Sequence, residues 1–542
     1  MTMTVAEVLV SKMQDYGIEY IFCVPGASID PILNVLADRG PKVILCHHES
    51  CAGYMAAAWG KITGKPGVVM VTAGPGATNV VSAAATAYAE HAPLIVLTGQ
   101  MSSRTKFKRT HQVIDAVSVF RPISKWSWEI DNVDTTASVW DEAYQTAVQH
   151  DRGPVHIAVA SDYLKLNTPV YTALQLPEPS RLQADAAAIK AAAALINLAK
   201  NPLLIVGGGA SHEKAAQALK TLVKITKIPV LCTFEGAGTI SRELEAHFMG
   251  RLGVFQNQPC LELIKQADVI VSVGYNIAEL DPLIWNKDRD NTLIHINHTS
   301  ALLDTGYHPK LQILGDIAEN LLQLASQLSA HSYAHEATQQ AVRATLASYL
   351  PAGAKKTGFP IHPLRIIHDL RQVVTDENTV VTDVGSHQYW MSEYFFCYRP
   401  KYFLSSMGFQ TMGVSIPFAI AASLARPGHK VFSVSGDGSF LMCSMEIATA
   451  VAIQAPIVHL VWKDHSFNLV QIQEEKKYQR NHGAVFGTDI DVAKYAESLG
   501  ATGISVSSAE ELLPALQKAL GVKGPVVIDV PVDYSDNKHL VS

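Results

Sequence analysis

The chain has 542 residues, of which 48% are apolar and 17% charged: ample material for several cores, and too little charge for a disordered chain. Its 43 Lys and Arg against 49 Asp and Glu leave a net charge of −6, and no basic run tracks phosphates along a duplex, which argues against a nucleic-acid partner. Seven cysteines, scattered, odd in number and without a Cys-x-x-Cys pair, are expected to be reduced core thiols of a cytoplasmic protein.

The first 17 residues carry Glu7, Lys12 and Asp15 among apolar residues at helical spacing, unlike an export signal. Short β-branched runs at Tyr20–Val24, Val43–Cys46, Val68–Thr72, Leu94–Leu97 and Val155–Val159 then alternate with Ala-rich helical stretches, which predicts βαβ units and a parallel sheet. Asn167 to Asp185 is polar and contains proline, as a linker would be. The alternation resumes with a helix at Ala186–Ala199 and strands at Leu203–Val206, Val230–Thr233, Val269–Val273 and Thr292–Ile296. Residues from Ser329 to Gly358 read as a helical bridge. A last block has strands at Val380–Thr382, Val431–Ser435, Ile457–Trp462 and Val526–Val530. The uncharged stretches Gly67–Ala89 and Tyr402–Ala425 are broken by Gly, Pro and polar residues, so they read as buried strand–loop–helix units and not as membrane spans. The fold expected is α/β, three parallel-sheet domains over residues 1–166, 186–328 and 359–542.

The sharpest local signal is the apolar strand that ends in Gly436-Asp437-Gly438-Ser439 and leads into a helix. A second apolar strand ends in Asp464-His465-Ser466-Phe467-Asn468, 27 residues after Asp437. That interval fits one helical crossover between neighbouring parallel strands, so both acids are expected at the same carboxyl edge of the sheet, where ligands of open α/β sheets bind. Two carboxylates beside a helix N-terminus suit Mg²⁺ bridging the protein to a diphosphate; alone, Gly-Asp-Gly is also a common strand-end turn. In the first block Glu49 follows a strand and precedes the Ala-rich segment Cys51–Trp59. On its own, a Glu at such a junction is more often a helix-start residue interacting with the dipole.

The unit from Gly436-Asp437-Gly438 to Asp464 resembles the cofactor motif of thiamine-diphosphate enzymes, and the resemblance covers essentially the whole chain in the order pyrimidine-binding, central and diphosphate-binding domain. It implies that Asp437, Asp464 and the backbone carbonyl of Ser466 hold Mg²⁺, with Gly436, Gly438, Ser439 and Asn468 around the diphosphate of bound thiamine diphosphate. It further implies that Glu49, in His47-His48-Glu49, hydrogen-bonds the pyrimidine nitrogen and drives the imino form that generates the ylid. In that family this Glu reaches a cofactor held by the other subunit, which implies a homodimer at least and a homotetramer by preference, with active sites at the interface. Thr72, Gly74, Pro75 and Gly76 would wall the pyrimidine, and Gly385, Ser386 and His387 would clamp the diphosphate. Gly408, Gln410 and Met412 would support the bent cofactor, with Met412 between its rings; a buried core methionine is the plain alternative.

Four runs, Phe248–Gln258, Gln471–Arg480, Lys494–Ala501 and Val530–Asn537, are similar to catabolic acetolactate synthases, which carry no flavin. The turn Gly207-Gly208-Gly209 lacks the full dinucleotide fingerprint, so a structural role and no FAD are expected. The resemblance implies decarboxylation of pyruvate, a 2-keto acid, and carboligation to a second pyruvate to give 2-acetolactate and CO₂. His111 and Gln112, in Thr110-His111-Gln112, would orient the acceptor, and Gln473 stands where biosynthetic relatives place a Trp that favours 2-ketobutyrate. Three departures point the other way. Ser28 replaces a Lys, Met407 beside Phe409 makes the substrate pocket more apolar, and Lys125-Trp126-Ser127-Trp128 is closer to aromatic 2-keto acid decarboxylases and benzaldehyde-lyase-like carboligases. They keep open a decarboxylase or carboligase for a bulkier substrate.

Overall fold

The computed structural model describes residues 2–108, 111–169, 183–253, 258–287, 291–331 and 336–539. The linker expected at 167–185 therefore lies largely outside the described residues; its start, Asn167–Pro169, pairs antiparallel with Thr2–Thr4.

Three six-stranded, wholly parallel sheets follow one another along the chain. The first comprises β1 (Tyr20–Val24), β2 (Lys42–Leu45), β3 (Gly67–Val71), β4 (Leu94–Gln100), β5 (Trp126–Ile130) and β6 (Pro154–Ala160), in the order β2-β1-β3-β4-β6-β5. The central sheet comprises β7 (Pro202–Val206), β8 (Val230–Thr233), β9 (Phe248–Leu252), β10 (Val269–Val273), β11 (Thr292–Asn297) and β12 (Leu311–Leu314), in the order β9-β8-β7-β10-β11-β12. The third comprises β13 (Thr379–Thr382), β14 (Phe403–Leu404), β15 (Val431–Gly436), β16 (Ile457–Lys463), β17 (Thr502–Ser505) and β18 (Val526–Pro531), in the order β14-β13-β15-β16-β18-β17. The first and third sheets are thus wound identically. In each the direction of winding reverses beside the first strand, between β1 and β3 and between β13 and β15, and this reversal is where the loops splay apart to admit a ligand.

Strands β3, β4 and β6 are buried along their whole length, because helices cover both faces of a parallel sheet and near-continuous Val, Ile and Leu runs result. The first and third sheets share one apolar core. At its centre the helix Glu49–Thr63 packs against the helix Ser415–Ala425, both rich in alanine. A Cβ on Gly53 of the first would stand 2.4 Å from the Ala83 Cβ, so only hydrogen fits there. The three domains also meet at one ammonium. Buried Lys61 Nζ lies 3.0 Å from Glu90, 3.0 Å from Glu235 of the central domain and 3.1 Å from the Ser405 carbonyl of the third.

The bridging helix runs from Glu336 to Ala354. No cysteine among the described residues forms a disulfide, and six of the seven are buried. The segment around Trp126 is an edge strand. Ser127 Oγ bonds the Val117 carbonyl at 3.0 Å, and Trp126 and Trp128 lie with parallel planes at 6.1 Å.

Candidate active site

The chemistry-bearing residues gather at the carboxyl ends of two sheets. In the third sheet β15 and β16 pair with Gly436 opposite Trp462, so Asp437 and Asp464 emerge side by side from adjacent strands. Asp437 is 2% exposed; its carboxylate accepts from the Gly438 N–H at 2.9 Å and the His465 N–H at 2.7 Å. Burial raises its pKa. Asp464 is pushed up to about 6 by burial and by the charge of Asp437, against the pull of hydrogen bonds from Ser466 and Asn468. Two acids at one edge, one buried and one half-buried, each driven toward its neutral form, are what a divalent cation relieves.

The loop after β13 faces them. His387 is buried, its Nε2 has no hydrogen-bond partner in the described structure, and burial lowers its pKa to about 3. A Cβ on Gly436 would lie 3.3 Å from His387 Nδ1, and one on Gly438 would lie 2.5 Å from the Phe467 ring. The two glycines therefore leave a cradle bounded by an unsatisfied imidazole nitrogen, and its neutral N–H can donate to an anion. Ser386 Oγ donates to Asn468 Oδ1 at 2.7 Å, and Asn468 Nδ2 donates to Asp464 Oδ2 at 2.8 Å. The donor set fits a diphosphate with its metal: two acids for the cation, neutral donors for the phosphates. Among the described residues no cluster of three or more His, Cys, Asp and Glu forms a self-sufficient metal site, so a cation here needs backbone and ligand oxygens too.

In the first sheet, β2 leads through Cys46–His48 into the helix that begins at Glu49, where the His48 ring accepts the Ser50 N–H at 3.2 Å. Glu49 is half-buried, and its Oε2 accepts from Asn79 Nδ2 at 2.9 Å. Its Oε1 would be 3.6 Å from a Cβ on Gly76, so the Thr72–Asn79 loop, which follows β3, closes over the acid. Gln112 joins this group: a Cβ on Gly74 would stand 2.8 Å from that of Gln112. His111 is exposed, and Thr110 lies outside the described residues.

Other positions fall differently. Ser28 is 5% exposed, and its hydroxyl is engaged by Thr72 Oγ1 at 2.8 Å and the Ala73 N–H at 3.0 Å. Met407 is 6% exposed, packs in the apolar core of the third domain and touches Gln388, while Phe409 is 49% exposed. Met412 is half-buried, so the buried-core alternative fails for it. Gln410 has φ +55° and its amide bonds the Met407 carbonyl at 3.0 Å. Ser439 is buried, with its hydroxyl 3.2 Å from the Gly436 carbonyl. Gln473 is exposed on the helix Asn468–Tyr478, which buries none of its residues in this chain.

Two residues escaped sequence reasoning. Asp383 is fully buried at the end of β13 and accepts N–H bonds from Val384, Gly413 and Ser415 at 2.8–2.9 Å, which ties the loop after Met412 to the Gly385–His387 turn. Asn537, near the C-terminus, donates to Ser386 and to Asn468 at 2.9 and 2.6 Å. An Asp directly before Val384-Gly385 was a readable signal; for Asn537 there was none, because its neighbours come from 69 and 151 residues away.

A cavity of about 880 Å³ lies elsewhere, between the domains at Lys61, Arg152, Glu235 and Lys401. At its wall the Gly208 N–H donates to the carboxylate of Glu279 at 3.0–3.1 Å, and burial lifts that acid to about 7.

Three family profiles match the chain: the N-terminal and the C-terminal TPP binding domains of thiamine pyrophosphate enzymes over residues 3–119 and 383–530, and the central domain of the same enzymes over 189–324. The chain is 40% identical to an acetolactate synthase of Bacillus subtilis, over 99% of this chain and 94% of that one. It is 38% identical to a catabolic acetolactate synthase of Raoultella terrigena, over 99% and 96%. A probable acetolactate synthase large subunit of Methanococcus aeolicus is 29% identical, over 99% and 93%.

Proposed function

The chain belongs to the acetolactate synthase family of thiamine pyrophosphate enzymes, and we propose that it decarboxylates pyruvate and joins the remaining two-carbon unit to a second pyruvate, giving 2-acetolactate and CO₂. The observation that carries this reading is the pair of buried Asp437 and half-buried Asp464 facing the unsatisfied His387 nitrogen across a glycine cradle. Bound thiamine diphosphate supplies the carbon nucleophile and the electron sink that loss of CO₂ from a 2-keto acid requires.

The protein's own part is to hold, orient and move protons. Asp437, Asp464 and the Ser466 carbonyl would hold Mg²⁺, and Ser386, His387, Ser439 and Asn468 would donate to the diphosphate. Glu49 would hydrogen-bond the pyrimidine nitrogen and exchange a proton with it, through Oε1 because Oε2 already accepts from Asn79. Gln112 and His111 direct the acceptor, with Gln473 at the entrance.

Glu49 and the two acids lie in different domains, so we propose a homodimer at least, and a homotetramer by preference, in which Glu49 of one chain faces the Asp437–Asp464 edge of another. Exposed apolar side chains beside both clusters, Leu45 at 57%, Leu441 at 46%, Met442 at 47% and Val470 at 48%, support such an interface. No flavin is expected, because the Gly208 amide that would meet a dinucleotide phosphate already serves Glu279. Free cysteines fit a reducing cytoplasm, and no described helix is long and apolar enough to cross a membrane. Two of the three features that raised a bulkier-substrate alternative give it little support, since Met407 packs in a core and Trp126 lies on an edge strand.

The test is incubation of the purified protein with pyruvate, thiamine diphosphate and Mg²⁺, without flavin, and identification of the product by mass spectrometry. 2-Acetolactate is expected. Acetaldehyde alone, or no turnover of pyruvate while an aromatic 2-keto acid is consumed, would overturn the assignment.

A further inference from the structure

The strand-to-helix loop that delivers Glu49 is held from another domain. Glu446, on the helix that follows the Asp437 turn in the third domain, is completely buried. Its Oε1 accepts two backbone bonds at once, from the His47 N–H and the His48 N–H, each at 3.0 Å. Its Oε2 accepts from Thr449 Oγ1 at 2.5 Å. Thr449 in turn lies 3.0 Å from His47 Nδ1 and 3.2 Å from the Leu45 carbonyl. Glu446 and Thr449 thus grip the last residue of β2 and both residues before Glu49. Burying a carboxylate is costly; the His47 ring lies with its Nδ1 3.7 Å from Oε2, and apart from Thr449 on its own helix the hydrogen-bond partners of the Glu446 side chain belong to the first domain. Its partners are a loop whose placement fixes where the Glu49 helix starts.

We propose that Glu446 is a positioning residue for Glu49: by fixing the His47 and His48 amides it sets the angle at which Glu49 meets the cofactor's pyrimidine ring. The inference rests on the reading of Glu49 as the activating acid. What Glu446 supplies is geometry, two acceptor sites on one oxygen, and not charge. An amide oxygen on an arm of the same length can accept the same two N–H bonds, with its NH₂ turned to the Thr449 hydroxyl. A carboxylate on an arm shorter by one bond, roughly 1.5 Å, cannot reach them.

The discriminating pair is therefore Glu446→Gln, which keeps the geometry and removes the charge, and Glu446→Asp, which does the reverse. Two readouts apply. The first is the rate at which the C2 proton of bound thiamine diphosphate exchanges for deuterium in the Mg²⁺-loaded protein, quenched in acid and read by proton NMR. The second is backbone amide exchange at His47 and His48 in the protein without cofactor. Glu446→Gln should stay near wild type in both. Glu446→Asp should expose the two amides and slow C2 exchange by about tenfold to a hundredfold, the usual cost of a misplacement near 1 Å, with kcat falling and KM for pyruvate little changed. Wild-type exchange in the Asp variant, or equal loss in both variants, overturns the inference. Glu49→Gln run alongside separates the two levels. If it exchanges like wild type, the reading of Glu49 itself fails; if it is slow while Glu446→Asp is not, only the positioning role fails.

Discussion

Replacing Asp383 tests how the cofactor loop is braced. One carboxylate oxygen accepts from the Val384 and Gly413 amides at 2.9 Å each, and the other accepts from the Ser415 amide at 2.8 Å. Burial raises the pKa of this acid while the three donors hold it down. Asp383→Ala strands three buried N–H groups, each costing about 1–3 kcal/mol, so roughly 3–9 kcal/mol before local relaxation. Asp383→Asn can keep the first oxygen with its two bonds, but it turns an NH₂ toward the Ser415 N–H, losing one bond and opposing two donors, about 1–3 kcal/mol. The order of stability should be wild type, then Asn, then Ala, in urea unfolding followed by far-UV circular dichroism. Because Gly413 and Ser415 flank the end of the Gln410–Met412 segment, the apparent affinity for thiamine diphosphate should fall in the same order. If Asn is as damaging as Ala, or if affinity is unchanged in both, the bracing role is wrong.

Asp437→Ala should weaken Mg²⁺-dependent binding of thiamine diphosphate by about tenfold to a hundredfold, equivalent to the 1.5–3 kcal/mol of a charged contact; calorimetry showing unchanged affinity would remove Asp437 from the metal site. Ser28→Lys should not improve the KM for pyruvate. With the Ser28 hydroxyl engaged twice and only 5% of the residue exposed, an ammonium there should cost about 2–5 kcal/mol, seen as a lowered melting temperature; a stable variant with lower KM would show that position 28 faces substrate. Two buried histidines, His156 between Thr98 and Ser127 and His459 between Ser433 and Ser435, are held down to about 3 by burial. They are neutral in the fold and take up protons near 6.5 when unfolded, so their stabilisation is complete above that pH and is lost below it, by up to about 1.4 kcal/mol per pH unit for each ring. Denaturation midpoints between pH about 7.5 and 5 should show it, and His459→Gln should flatten the slope by one ring's share; an unchanged slope would contradict it.

Every internal strand of the three sheets was legible in the sequence, because burial on both faces leaves an unbroken apolar run. The strands missed were β5, β9, β12, β14 and β17, and all five are at sheet edges. An edge strand has a ladder on one side only and tolerates polar residues, as in Trp126-Ser127-Trp128-Glu129, or shrinks to the two residues Phe403–Leu404. The candidate site divides the same way. Asp437, Asp464 and Glu49 were readable because each follows a strand directly. Asn79, Glu446 and Asn537 act on partners far away in the sequence, and linear spacing carries no trace of that. An apolar residue near a functional motif, such as Met407, has the same letter in a pocket and in a core.

The ammonium of Lys61 has a bearing on how such chains can be recombined. Its contacts come from all three domains, Glu90 in the first, Glu235 in the second and Ser405 in the third, and side chains this enclosed tolerate no missing partner, since an uncompensated buried charge costs about 3–5 kcal/mol. A central domain transplanted from a relative therefore has to bring an acid at the position of Glu235, or the recipient has to lose its lysine. Exchange of modules in this architecture is governed less by where the linkers are cut than by whether donor and recipient hold matching halves of that junction.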